Sequence, residues 1–370
     1  MNNKTSVVGI GKLGLCWALE LEKNGYDVLG VDLSQSYVDS LNQKTFNSSE
    51  ASVNDLLTSS KNFRATADIK ESIDFSDIIF IVVATPSLED GRYDHTYLDS
   101  AIDSIIKNSK GKSTKHIVVC CTTMPGHCDK LREKVKDFGY TLSYNPEFIA
   151  QGSIIRDMEN ADIVLIGEDN KEAGDIIEKI NLSITKNNPK VFRMKSISAE
   201  ITKISLNCYI TMKIAFANSI GDLCMSADAE YEKVLEAIGS DSRVGNKYFK
   251  YGFGYGGPCF PRDNRALGIF SKDMDREVVF SRVTDFSNRI HLQVQVEDFI
   301  ENNDIRKPIK LNGVTYKKNS HIIEESQQLA YAVGIAKAKF DVTIVDTKDV
   351  LENVRNLYGD LFKYEETTKG

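Results

Sequence analysis

The sequence predicts an α/β protein: an N-terminal doubly wound sheet, a central long-helix domain and a smaller C-terminal α/β domain. Three observations carry this. Over the first 195 residues, short β-branched runs alternate with polar stretches of helical periodicity. From Ser198 to about Asp228 that pattern gives way to one long helix-like segment with no proline and a single glycine. From Ile309 the alternation returns. The boundaries that follow are 1–195, 196–300 and 301–370.

The elements read in order. SVVGIG (6–11) is a strand, Leu13 to Asn24 has helical periodicity with Gly25 as a stop, and DVLGVD (27–32) is a second strand. DIIFIVVAT (77–85) is an apolar run on the scale of a buried parallel strand, and HIVVCCT (116–122), YTLSYN (140–145) and DIVLIG (162–167) follow. After the long segment, helical stretches resume at Glu230 to Ile238 and between Arg276 and Glu301. IKLNGVTY then reads as a strand, SQQLAYAVGIAKAKF as a helix and DVTIVD as a strand.

Composition narrows the function. Hydrophobic residues make up 41% and charged residues 27%, ordinary for a soluble globular chain. The net charge is −7 and no long Lys/Arg run occurs, which argues against a nucleic-acid partner. The N-terminal residues run straight into a strand without a signal-peptide pattern, and the longest apolar run, Ile78 to Ala84, is too short to cross a membrane. Seven cysteines without framework spacing suggest reduced thiols and a cytoplasmic setting. Cys120, Cys121 and Cys128 form no CxxC, so they read as small buried residues and no metal site is expected.

Two regions carry chemistry. Gly9-Ile10-Gly11-Lys12-Leu13-Gly14 follows a strand and opens a helix, and Asp32 closes the next strand eighteen residues after Gly14. This is the context of a dinucleotide-binding, Rossmann-like unit: glycines admit a pyrophosphate at the helix N-terminus, and Asp32 would hydrogen-bond ribose hydroxyls and repel a 2′-phosphate, favouring NAD. Thr85-Pro86 and Thr122-Thr123-Met124-Pro125 lie at the carboxyl ends of strands, where hydroxyls meet a cofactor or water, or cap helices.

The second region is GFGYGGPCFPRD (252–263), four glycines around Cys259 with Asp263 four residues beyond. So much backbone freedom suggests a loop wrapped around something small, with the thiol facing it. In the long helix, Lys203 and Asn207 lie four apart on a stripe shared with Glu200 and Thr211. That stripe is either an oxyanion holder or a solvated face. Glu147, in Asn145-Pro146-Glu147-Phe148 at a strand's end, is a general base or part of a turn. A thiol nucleophile, a cation that lowers its pKa, an amide and two carboxylates would complete a covalent oxidation site.

These motifs resemble the UDP-glucose/GDP-mannose dehydrogenase family through nearly the whole chain. GFGYGGPCFPRD is close to the family's G-x-G-G-x-C-x-P-K-D loop, supported by GIGKLG, VATP, NPEFIAQG, the Lys203/Asn207 helix and DSRVGNKYFK (241–250). The resemblance implies four-electron oxidation of a nucleotide sugar's C6 alcohol to a carboxylate with two NAD, UDP-glucose being the leading substrate ahead of GDP-mannose and UDP-N-acetylhexosamines. It implies Cys259 as nucleophile through a thiohemiacetal and a thioester, Lys203 and Asn207 on the oxyanions, Asp263 with Thr123 on a water, and Glu147 as base in hydrolysis. Gly9, Gly11, Gly14, Asp32, Thr85, Thr123 and Arg262 would contact NAD. Glu147, Phe148, Lys203, Asn207, Lys250, Phe253, Gly256 and Lys317 would contact the nucleotide sugar. Arg243 would reach a neighbouring subunit's substrate, implying a homodimer or higher homo-oligomer.

The chain departs from the family pattern at Gln151, where many members have a glutamate, and at Tyr37, where a basic residue is frequent. It departs also at Glu324 in place of an arginine and at Arg262 in place of a lysine. The C-terminal domain has room for about half of the family's nucleotide-binding sheet. Two other readings fit parts of the pattern: a single-hydride dehydrogenase of the hydroxyacid kind, which needs no thiol, and a non-catalytic NAD-binding protein.

Overall fold

A computed structural model describes residues 3–109, 114–318 and 320–367. The chain divides into two compact units, Met1–Lys203 and Ile204–Gly370.

The first unit is built on an eight-stranded sheet. Its strands are β1 (Lys4–Val8), β2 (Asp27–Val31), β3 (Phe63–Thr66), β4 (Ile78–Ile81), β5 (Lys115–Val119), β6 (Tyr140–Tyr144), β7 (Ile163–Gly167) and β8 (Lys190–Met194). They lie in the order β3-β2-β1-β4-β5-β6-β7-β8. All pairs are parallel except β6–β7. Helices cover both faces, so the central strands are apolar on alternate residues in both directions. Val7, Phe80 and Val118 enter one core; Val8, Ile79, Ile81, Ile117 and Val119 enter the other. The strand order reverses between β1 and β4, and in such sheets ligands bind beyond the carboxyl ends of the strands at that point.

Two strands, β3 and β8, have no apolar run in the sequence. They are the two edges of the sheet. An edge strand pairs on one side only and is tuned by charge rather than by apolar burial. Accordingly FRAT carries Arg64, and KVFRM carries Lys190 and Arg193.

The long segment is a 31-residue helix, Ser196–Ser226. The second unit continues with helices Tyr231–Ser240, Phe260–Asp273 and Val279–Asn302. The helix Phe260–Asp273 begins directly after Cys259, with proline in its first turn, where a missing N–H has no intrahelical partner to lose. A three-stranded parallel sheet closes the unit, ordered β11 (Lys363–Glu366), β10 (Val342–Asp346), β9 (Ile309–Asn312). Helix Gln327–Lys337 packs on it through Leu329, Ala332 and Ile335, and Phe299 bridges the helical part to this sheet with its ring 5.4 Å from Phe340. No helix among the described residues is long and apolar enough to cross a membrane.

The β1–β4 junction depends on two glycines. Gly9 has φ +88°, and a Cβ there would stand 2.6 Å from the Val82 carbonyl oxygen. A Cβ on Gly14 would stand 1.9 Å from the Gly9 carbonyl oxygen, whereas one on Gly11 would meet nothing within 4 Å. Gly14→Ala is therefore expected to destabilise the protein by about 1–3 kcal/mol in thermal or urea unfolding. Gly11→Ala should stay within about 0.5 kcal/mol of the parent. Equal effects of the two would contradict this packing.

Candidate active site

The turn after β1 is shaped for an anion. Gly11 caps the helix Lys12–Lys23 without a side-chain hydrogen bond, and no acidic residue occupies its first turn. Its first N–H groups thus keep their positive field, and the open space at Gly11 is where a Cβ would intrude on a ligand. Tyr37 donates its hydroxyl to the Ile10 carbonyl at 2.8 Å, so the residue standing at a frequently basic position instead ties down the glycine turn. Asp32 stands just past β2, partly exposed, with Oδ1 accepting from the Ser34 N–H at 3.1 Å. An uncapped helix end plus a carboxylate at the neighbouring strand end fits a pyrophosphate and an unphosphorylated ribose.

The threonines beyond β4 and β5 are buried and engaged. Thr85 Oγ1 donates to the Thr122 carbonyl at 2.8 Å, joining the two strand ends. Thr123, fully buried, donates to Glu200 Oε1 at 2.8 Å.

Glu147 and Phe148 meet Lys203. The Lys203 ammonium donates to the Glu147 backbone carbonyl at 2.6 Å and lies 4.4 Å from the centre of the Phe148 ring. Glu147 also borders a small cavity with Trp17, Met158, Asn181 and Thr185. Although the residue as a whole is only partly buried, burial of its carboxyl pushes the pKa up to about 7, against the opposing pull of Lys203. A carboxylate poised near neutrality suits a general base. Gln151, four residues on, accepts from the Lys12 ammonium at 3.3 Å. The adjacent Gly152 N–H donates at 2.8 Å to Glu50, a buried carboxylate that also pairs with Lys12 at 4.0 Å.

In the second unit, Cys259 is the exposed one of seven thiols; Cys208 is intermediate and the other five are buried. It immediately precedes a helix, and the positive end of a helix favours thiolate. Asp263 lies one turn into that helix, 1% exposed, its N–H donating to the Cys259 carbonyl at 2.9 Å. Asn207 Nδ2 donates to Asp263 Oδ2 at 2.6 Å, and Arg262 Nε stands 3.5 Å from Oδ1.

The glycines before Cys259 are fixed by protein neighbours as much as by open space. A Cβ on Gly254 would stand 2.2 Å from Asn288 Oδ1, and one on Gly256 2.2 Å from the Glu325 carbonyl oxygen. Gly257, at φ +80°, faces Tyr316 and donates its N–H to the Glu324 carbonyl at 3.1 Å. Gly252 faces open space. Glu324 thereby contacts the thiol loop through its backbone. Phe253 is exposed, its ring 5.7 Å from that of Tyr331, and the Lys317 ammonium lies 5.8 Å from the centre of the Tyr316 ring. Lys250 is exposed, while Arg243 is exposed and pairs with Asp241 at 2.7 Å.

The polar stripe on the long helix is not a solvated face. Glu200 and Thr211 are wholly buried, Lys203 is 8% exposed and Asn207 9%. Sequence reasoning gave Glu200 no role, although its place three residues before Lys203 marked it as part of that stripe.

The family model of the UDP-glucose/GDP-mannose dehydrogenases matches in two parts: its NAD binding domain over residues 3–185 and its central domain over residues 197–289. A UDP-glucose 6-dehydrogenase of Rhizobium meliloti (strain 1021) is 31% identical over 369 residues, spanning 96% of this chain and 83% of its own length. A GDP-mannose 6-dehydrogenase of Pseudomonas savastanoi pv. phaseolicola is 28% identical over 93% of this chain and 81% of its own length. The solved structure of a UDP-glucose dehydrogenase from the hyperthermophilic archaeon Pyrobaculum islandicum superposes with a TM-score of 0.89 at 27% identity, covering 98% of this chain and 86% of that one. The chain therefore belongs to the UDP-glucose/GDP-mannose dehydrogenase family and is an NAD-dependent nucleotide-sugar dehydrogenase.

Proposed function

We propose that this enzyme oxidises the C6 alcohol of UDP-glucose to the carboxylate of UDP-glucuronate through a thioester on Cys259. The observation that carries the reading is an exposed thiol at a helix N-terminus, with a buried Asp263 one turn away in the grip of Asn207. Gly9, Gly11, Gly14, Asp32, Thr85, Thr123 and Arg262 would hold NAD, which would supply the hydride acceptor for each of the two oxidations. The thiolate of Cys259 adds to the C6 aldehyde, forming a C–S bond and a thiohemiacetal. Lys203 and Asn207 hold the oxygen, first as hemiacetal and then as thioester carbonyl; the bond to Glu147 O and the Phe148 ring keep the Lys203 head in place. Asp263, with Thr123, positions water. Glu147 takes the proton of the attacking water, the C–S bond breaks, and Cys259 recovers its thiol. One alcohol, two NAD+ and one water give one carboxylate, two NADH and three protons.

Phe148, Lys250, Phe253, Gly256 and Lys317 would hold the sugar nucleotide. Arg243 would serve a neighbouring copy in a homodimer or higher homo-oligomer; exposed Leu206, Phe216 and Leu223 on the long helix support such an assembly. The domain boundaries 1–195, 196–300 and 301–370 and a cytoplasmic location belong to the same proposal. GDP-mannose is the second candidate substrate, supported by relatives named for it.

The direct test counts NADH formed per sugar consumed with UDP-glucose, GDP-mannose and UDP-N-acetylmannosamine in separate reactions. Two per UDP-glucose is expected; one per sugar would exclude the thioester route, and two with GDP-mannose alone would replace the substrate. Cys259→Ser should end four-electron turnover. Lys203→Ala should lower kcat about a hundredfold with a smaller change in KM, as for donors aimed at a developing oxyanion. In pH profiles of single-turnover thioester hydrolysis, the rate should rise as Glu147 loses its proton, with a midpoint near the value of about 7 set by its burial. Glu147→Gln should be slow and flat through that range. An unchanged profile would remove Glu147 from the base role.

A further inference from the structure

Glu200 is wholly buried, and its carboxylate is met by the Thr123 hydroxyl, the Cys128 thiol and backbone N–H groups. Oε1 accepts from Thr123 Oγ1 at 2.8 Å and from the Cys128 N–H at 3.0 Å; Oε2 accepts from the Gly126 N–H at 2.6 Å. Gly126 caps the helix His127–Val135, so the carboxylate sits on a helix N-terminus, where negative charge is favoured. Burying a carboxylate is costly unless such donors surround it. The same loop is held at two more points: the Thr122 carbonyl by Thr85 Oγ1, and the Met124 N–H by His95 Nε2 at 3.1 Å.

We infer that Glu200 is a positioning residue for the second half of the reaction, fixing the rotor of Thr123. An ionised carboxylate only accepts hydrogen bonds. Of the two partners of Thr123 Oγ1, Glu200 Oε1 at 2.8 Å and Cys128 Sγ at 3.8 Å, the nearer and stronger acceptor takes the hydroxyl hydrogen, and Thr123 then meets a water as an acceptor. A water that donates to Thr123 turns a lone pair away from it and toward the carbon it will attack. The charge on Glu200 thus sets the orientation of a water from one residue's remove. This inference rests on the proposed thioester route for its consequence and on the geometry alone for the Glu200–Thr123 coupling.

The experiment is a double-mutant cycle of Glu200→Gln and Thr123→Val, followed by rapid mixing with NAD and whichever nucleotide sugar the parent enzyme turns over. Glu200→Gln should keep the first, fast NADH phase, and each single variant should slow the steady state by about tenfold to a hundredfold, the effect of losing a charged hydrogen bond. The double variant should be no slower than Thr123→Val, and Thr123→Ser, which keeps the hydroxyl, should restore most of the rate. Glu200→Asp covers the case in which Glu200→Gln does not fold. It retains the charge at the helix end, which is all a structural cap requires, but shortens the reach to Thr123, and it should show the same slow steady state. Effects of the two sites that multiply, or a Glu200→Asp enzyme with parental kcat, would overturn the inference. A parent enzyme that yields one NADH per sugar would instead defeat the thioester reading, while the cycle would still report whether the two residues act together.

Discussion

The constraint on which the proposed chemistry depends is a buried polar stripe on a single helix. Glu200, Lys203 and Asn207 lie on one face of Ser196–Ser226, and each grips a different segment that carries a proposed reacting group. Glu200 holds the hydroxyl of Thr123, Lys203 the carbonyl of Glu147, and Asn207 the carboxylate of Asp263. Spacings of three and four residues put successive side chains on the same side of a helix. Burial raises the stakes. In a low-dielectric setting each hydrogen bond is stronger, and a missing partner is harder to tolerate.

The same burial separates the roles of the carboxylates. Glu147 is pushed toward neutrality by its apolar surroundings, with one opposing ammonium nearby. Asp263 has an amide donor at 2.6 Å and a guanidinium nitrogen at 3.5 Å against it. A carboxyl poised near neutrality can exchange a proton, and one held by fixed donors can orient a water. The departure at Gln151 fits this division. It accepts from Lys12 in the dinucleotide turn, which an amide can do without adding a second carboxylate to the segment that carries Glu147.

Much of the fold was legible because buried parallel strands must be apolar on both faces. The segments around Ile79, Val118 and Leu165 announce themselves for that reason. The edge strands FRAT and KVFRM do not, since edges are charged and half-exposed, and only their pairing partners define them. The thiol loop was legible as a glycine-rich feature, but not why three of its glycines are there: Asn288, the Glu325 carbonyl and Tyr316 press against them from segments 30 or more residues away. Glu200 escaped for a similar reason. Its position on the stripe was visible, yet its partners come from a loop more than 70 residues earlier. The family assignment disposes of the hydroxyacid-type and non-catalytic readings, and the exposed Cys259 is what makes that assignment chemically intelligible.

The central claim is that the substrate becomes covalently bound to Cys259, and intact-protein and peptide mass spectrometry tests it most directly. Glu147→Gln enzyme would be mixed with NAD and UDP-glucose, quenched in acid within the first turnovers and digested. The account predicts that the peptide containing Cys259 gains the mass of the oxidised nucleotide sugar, and that the adduct is absent without NAD and in the Cys259→Ser background. NADH production with that peptide unmodified, or an adduct on another residue, would contradict it.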